Sequence, residues 1–191
     1  ILTTNFIINS MKIVIVSGGF DPIHSGHISY LKDARKYGDK LIIALNSDEW
    51  LIAKKGKFFL PFYERKNILD NLNMVDEVIS FEDDDIGSCI NGIKKIKKMF
   101  PKNEFIFCNG GDRNKDNIPE MHEKEVQFIF GVGGEDKLNS SSWILKNYEF
   151  DYENRVWGKF YNLFIDEQVK VKELILFPGR GISYQKHIHR S

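Results

Sequence analysis

Short apolar runs alternate along the chain with longer segments of helical period. Lys12 to Ser17 reads KIVIVS, a continuous β-branched run of the kind a strand covered on both faces requires. His27 to Lys36 then sets Ile28, Leu31 and Ala34 on one helical face, and Gly38 ends that helix. Lys40 to Asn46 predicts a second buried strand. A lysine-rich loop is expected next, and Pro61 to Met74 predicts a helix carrying Phe62, Ile68, Leu69 and Leu72. A third strand is expected over Glu77 to Phe81 and an amphipathic helix over Ile86 to Met99. Strands four and five follow at Glu104 to Cys108 and Val126 to Phe130, then a short helix at Ser140 to Lys146.

Strands alternating with helices imply right-handed crossovers, and hence an α/β fold built on a mostly parallel sheet. Ligands of such sheets bind beyond the carboxyl ends of the strands, where the strand order reverses. The pattern changes near Asp151. From there the chain offers β-type runs, Lys159 to Ile165 and Val169 to Phe177, with turn signals at Pro178, Gly179 and Gly181. The expected organisation is a leader or remnant over residues 1–10, a main domain over 11–150 and a β segment over 151–191. Phe6 to Ile8 could add an edge strand.

Composition narrows the function. The 191 residues hold 27 basic and 27 acidic side chains and are 42% hydrophobic, enough for one ordinary core. A net charge of zero removes the simplest case for nucleic-acid binding, and no apolar run approaches the ~20 residues of a membrane span. Two cysteines, Cys89 and Cys108, make no disulfide framework, which fits a reducing cytoplasm. A small soluble enzyme is the class that remains.

The strongest chemical signal is the loop Gly18-Gly19-Phe20-Asp21-Pro22-Ile23-His24-Ser25-Gly26-His27, placed between the first strand and its helix. Glycines at a strand end let backbone N–H groups approach an anion, and a following helix start favours negative charge. Two imidazoles there suit the stabilisation of charge on phosphate oxygens. Lys54, Lys55 and Lys57 surround Gly56 after strand two, and Arg65 lies in the next helix. Asn109-Gly110-Gly111-Asp112 closes strand four, and Ser140-Ser141-Ser142 opens the last helix, where hydroxyls either cap the helix or meet an anion.

The His24-Ser25-Gly26-His27 loop resembles the H-x-G-H signature of the cytidylyltransferase-like nucleotidyltransferases. Ser29 to Ser47, Asp48, Pro61 and Arg65 extend the likeness to the branch holding glycerol-3-phosphate cytidylyltransferases and heptose-1-phosphate adenylyltransferases, over about residues 11 to 148. The resemblance implies a Rossmann-like fold and direct attack of a substrate phosphate on the α-phosphate of CTP or ATP. Magnesium assists, pyrophosphate leaves, and the enzyme often dimerises. It further implies that His24, His27 and Lys55 (with Lys54 and Lys57 as rivals) are catalytic. Arg65 would hold the acceptor phosphate. Gly18, Gly19, Phe20, Asp21, Gly26, Gly110, Gly111, Asp112 and Ser140 to Ser142 would bind the nucleotide. Asn109 stands where relatives often carry lysine. Gly134-Glu135-Asp136-Lys137-Leu138 lacks the arginine of the cytidylyltransferase form and is closer to the heptose branch. The implied partners are a nucleoside triphosphate and a phosphorylated small-molecule acceptor, with neither nucleic acid nor membrane. Two other functions fit the same loop: a non-catalytic nucleotide-binding module, and nicotinate-mononucleotide- or pantetheine-type adenylyl transfer.

The tail carries a second pattern. His187 and His189 point the same way in a strand, so both can ligate one metal. Trp157-Gly158-Lys159, Val171-Lys172, Pro178-Gly179 and Ser183 to Arg190 resemble the start of a type II mannose-6-phosphate isomerase cupin. The glutamate and third histidine of that metal site do not follow before Ser191. The segment is therefore expected to be the first part of a cupin, without isomerase activity of its own.

Overall fold

The computed structural model describes residues 10–111, 113–134, 141–146, 152–165 and 169–183. Contacts divide the chain into two compact units, the first ending at Ser141 and the second starting at Ser142.

The first unit is an open parallel sheet with helices on both faces. Its elements are β1 (Lys12–Gly18), α1 (Ser25–Ala34), β2 (Lys40–Leu45), α2 (Asp48–Lys55), α3 (Phe62–Asp70), β3 (Glu77–Ser80), α4 (Ile90–Met99), β4 (Glu104–Cys108) and β5 (Val126–Ile129). The strand order is β3-β2-β1-β4-β5, every neighbouring pair parallel. Alternate residues of each strand feed opposite layers. Val14, Val16, Leu41, Ile43 and Leu45 pack with Leu31 and Ala34 of α1 and Leu69 of α3. Ile13, Ile15, Ile42 and Ala44 pack with Ile93 and Ile96 of α4. Each of these buried Val, Leu and Ile side chains contributes about 1.5–3 kcal/mol. The order reverses between β1 and β4, so the crevice opens where the loops after Gly18 and Cys108 diverge. This is the expected Rossmann-like architecture.

Three local expectations need correction. The segment after β2 is not a lysine-rich loop from its start but the helix α2. Ser47 caps it by accepting from the Trp50 N–H at 2.9 Å, and Gly56 ends it in the left-handed region at φ 82°. Helix α1 begins at Ser25, two residues earlier than expected, because His24 caps it. Helix α4 begins only at Ile90. Asp84 accepts from the Ser88 N–H at 2.7 Å and from the Ser88 hydroxyl, and this turn keeps Ile86 out of the helix.

The second unit begins within α5 (Ser141–Lys146) and contains β6 (Tyr152–Arg155), β7 (Gly158–Ile165) and β8 (Lys170–Leu176). The three strands form an antiparallel sheet in the order β6-β7-β8. Phe160 is its buried centre, with the Lys172 ammonium 3.7 Å from the ring centroid and Trp157 stacked at 6.4 Å. β6 was not expected from the sequence. The leader's candidate strand, Phe6 to Ile8, lies outside the described residues. Among the described residues no helix is long and apolar enough to cross a membrane.

Candidate active site

The loop after β1 is held from below by its own acid. Asp21 is buried, and its carboxylate accepts from the Phe59 and Leu60 N–H groups, both at 2.7 Å. Its carbonyl oxygen accepts from the Lys55 ammonium at 3.1 Å. Asp21, expected to meet the nucleotide, therefore ties the histidine loop to the segment between α2 and α3. Phe20 is also buried, its ring beneath Gly18 and 4.9 Å from the ring of His27.

His24 and His27 stack with ring centroids 3.8 Å apart and planes at 24°. His24 Nδ1 accepts from the Gly26 N–H at 3.1 Å, so a neutral His24 carries its proton on Nε2. His27 Nδ1 is buried without a partner. A buried unpaired N–H is costlier than a buried unpaired acceptor, which favours the Nε2–H tautomer for His27 too. Burial, followed by the neighbouring His24 and Lys55, lowers the His27 pKa from 6.5 to about 3. At neutral pH His27 is thus an uncharged hydrogen-bond donor.

Lys55 touches the histidine loop through Asp21 O, and partial burial lowers its pKa. Lys54 lies over the Trp50 ring at 4.2 Å, and Lys57 is exposed. Arg65 does not present its guanidinium as a ligand of the acceptor phosphate would. Its side chain has no exposed surface. Nε donates to Leu60 O at 3.0 Å, Nη1 to Gly19 O at 2.7 Å and Asn46 O at 3.0 Å, and Nη2 to Asp48 Oδ1 at 2.6 Å. Asp48 Oδ2 also accepts from the Phe62 N–H at 3.0 Å, at the start of α3. Four of its N–H bonds thus go to the protein's own oxygens.

On the other side of the crevice, Gly110 and Gly111 follow β4 as expected, with Gly110 packed against the ring of Tyr30. The Tyr30 hydroxyl donates to Cys108 O at 2.6 Å, and Asp33 Oδ2 accepts from the Gly133 N–H at 3.0 Å. Helix α1, which His24 begins, is thereby fastened to the ends of both β4 and β5. Asn109 is buried, and its Nδ2 has no partner among the described residues. Ser141, the last residue of the first unit, is buried with its hydroxyl donating to Pro22 O at 2.9 Å. Asp112, Ser140, His187 and His189 lie outside the described residues, as does the side chain of Ser142.

Sequence reasoning singled out neither Tyr30 nor Asp33, and Asp48 entered only through the resemblance. Each belongs to a helix whose neighbouring residues are ordinary, and only their partners, 14 to 100 residues away, mark them.

Among the described residues no group of three or more His, Cys, Asp or Glu side chains is placed to hold a metal. Asp21 has both carboxylate oxygens engaged.

Comparison with known proteins places the fold in a family. The Cytidylyltransferase-like family matches residues 15–132. Bifunctional protein HldE of Blochmanniella floridana is 44% identical over 109 residues, covering 56% of this chain and 21% of that protein. Its namesakes in Klebsiella pneumoniae and Proteus mirabilis are 45% and 36% identical over 126 and 129 residues, covering 65% and 66% of this chain. The chain spans about a quarter or less of the length of these curated relatives. A lipopolysaccharide core biosynthesis protein from Thermoplasma volcanium, known by crystal structure, aligns with 66% of this chain and 100% of its own at 24% identity and a TM-score of 0.49. The family match takes in both sides of the crevice and more than half of the sequence, so the chain belongs to the Cytidylyltransferase-like family of nucleotidyltransferases.

Proposed function

We propose that this chain transfers a nucleotidyl group from a nucleoside triphosphate to the phosphate of a phosphorylated sugar or polyol. An acceptor phosphate oxygen attacks the α-phosphorus, one P–O bond forms, and the bond to the leaving pyrophosphate breaks. The acceptor oxygen is already ionised, so the step needs no general base. It needs donors aimed at the α-phosphate oxygens and cations that hold two anionic substrates together. The observation that carries this reading is the stacked pair His24 and His27, whose Nε2–H donors stand on one loop with Lys55 docked against it. Because His27 stays neutral, it donates a hydrogen bond without competing as a proton acid. Lys55 supplies the positive charge when it exchanges the Asp21 carbonyl for a phosphate oxygen.

Gly110, Gly111 and Asp112 frame the nucleoside in this reading, and Ser140 and Ser142 stand near the outgoing pyrophosphate. Magnesium enters with the triphosphate and offsets its charge. The absence of an arginine in Gly134 to Leu138 favours ATP and a heptose-type sugar 1-phosphate over CTP and glycerol phosphate. The second unit belongs to the same proposal as the opening strands of an isomerase-like cupin. Its antiparallel meander, with Trp157-Gly158 and Pro178-Gly179 at the turns, supports that part.

The test is product formation. Purified chain with magnesium, α-labelled ATP or CTP and a panel of sugar 1-phosphates and polyol phosphates should yield a labelled nucleotide sugar or polyol. Nucleotide binding with no transfer to any acceptor in the panel would contradict the proposal.

A further inference from the structure

The carbonyl ends of β1 and β2 are joined beyond their last ladder bond by one side chain. The Asn46 N–H donates to Gly18 O at 3.2 Å, closing the ladder. One residue further on, Gly19 O and Asn46 O no longer have strand partners, and Arg65 Nη1 donates to both, at 2.7 and 3.0 Å. The guanidinium is held in turn by Asp48 Oδ1 at 2.6 Å and Leu60 O at 3.0 Å. A guanidinium immobilised on four oxygens restrains the direction of the Gly19 carbonyl it grips.

That peptide is Gly19–Phe20, a trans bond. In a planar trans peptide the C=O and N–H point in opposite directions. With Gly19 O turned onto the buried guanidinium, the Phe20 N–H is turned away from it. No hydrogen bond among the described residues uses that N–H. Phe20 also holds φ 48°, a left-handed conformation that costs a residue with a side chain free energy and persists only where its surroundings impose it. Its ring is fixed beneath Gly18 and against His27. A backbone donor with no acceptor among the described residues, on a residue of imposed conformation whose ring packs against His27, suits an anion.

We infer that Arg65 is a positioning residue: by gripping Gly19 O it presents the Phe20 N–H as a third donor, with His24 and His27, to a phosphoryl oxygen of the nucleotide. The inference rests on the nucleotidyl-transfer reading for the identity of the ligand. It assigns Arg65 to the α-phosphate side of the chemistry through the backbone, and not to the acceptor phosphate through direct contact.

The test combines a spectroscopic and a kinetic readout. In ¹⁵N-labelled protein, a non-hydrolysable nucleoside triphosphate analogue with magnesium should move the Phe20 amide proton downfield, and Arg65→Lys, which keeps the charge but loses the fork, should abolish that movement. The same variant should lose about 10²-fold in kcat, as when one oxyanion donor is lost, with the KM for the acceptor changed less than about threefold. Asp48→Asn keeps an oxygen for Nη2 and provides a folded variant with a smaller loss of the same kind if Arg65→Lys does not fold. A Phe20 amide that does not respond to the analogue, or responds equally in the variants, would overturn the inference. So would a rise in acceptor KM at unchanged kcat. A wild-type Phe20 amide that responds while no acceptor is nucleotidylated would support the role of Arg65 and contradict the proposed reaction, so the two fail separately.

Discussion

The Lys55 ammonium rests 3.1 Å from the carbonyl oxygen of Asp21, joining the last turn of α2 to the loop that carries both histidines. The same aspartate holds the Phe59 and Leu60 N–H groups through its carboxylate. One residue thus fixes the lysine's resting place and the backbone that leads from α2 into α3. In the proposed reaction the lysine's charge is held beside the site on a neutral carbonyl that a phosphate oxygen would replace.

Removing that carboxylate should release the segment. Asp21→Ala leaves the Phe59 and Leu60 N–H groups without their acceptor and should cost about 2 kcal/mol of stability. Tryptic cleavage after Lys57 should accelerate in step. Denaturant unfolding and timed proteolysis measure both, and unchanged cleavage would show that Asp21 does not hold this segment.

The pH dependence of stability should carry the mark of His27. Its folded pKa of about 3 lies below the ordinary 6.5, so between these values the unfolded chain binds the extra proton. The contribution is fully present above pH 6.5 and is lost as the pH falls towards 3, by about 1.4 kcal/mol per pH unit within the window. Unfolding free energies of the wild type and His27→Gln, compared from pH 7 to pH 4, should converge or cross as the pH falls. Parallel curves would contradict the buried neutral imidazole.

Two glycines after β5 separate strain from collision. Gly133 at φ 88° and Gly134 at φ 98° both occupy the left-handed region, but a Cβ on Gly133 would stand 2.7 Å from Tyr30 Cα, whereas one on Gly134 meets nothing within 4 Å. Gly134→Ala should therefore cost about 1–2 kcal/mol from conformation alone. Gly133→Ala should cost at least a further 1–3 kcal/mol, because backbone must move. Equal melting temperatures for the two variants would remove α1 as the support of this loop.

Nucleotide choice should appear as ligand-dependent stability. With magnesium at millimolar concentration, ATP should raise the melting temperature more than CTP does, since a ligand that binds only the folded state stabilises it. A larger shift with CTP would redirect the acceptor search to glycerol phosphate and its relatives.

The sheet was legible because β1, β2 and β4 are buried on both faces and spell unbroken apolar runs, as in Ile13 to Val16 and Leu41 to Leu45. Helix α2 was not. Only Leu51 of its eight residues is buried, so no apolar stripe announces it, and its bounds rest on the Ser47 cap and on Gly56. β6, four exposed residues of mostly polar character, has no signal apart from its pairing with β7. In the site, the spacing of His24 and His27 was readable, but the stacking and the lowered pKa of His27 follow from its burial and from the tertiary approach of Lys55. Arg65 shows the limit most clearly. Its four acceptors come from residues 19, 46, 48 and 60, and no local pattern unites those positions.

The central claim is that the stacked histidines act on the α-phosphate, and the rate of acceptor-dependent pyrophosphate release in a single turnover tests it most directly. With saturating magnesium nucleotide and acceptor, His24→Ala and His27→Ala should each slow that step by about 10²–10³-fold while nucleotide still binds. Release at the wild-type rate in either variant would contradict the account.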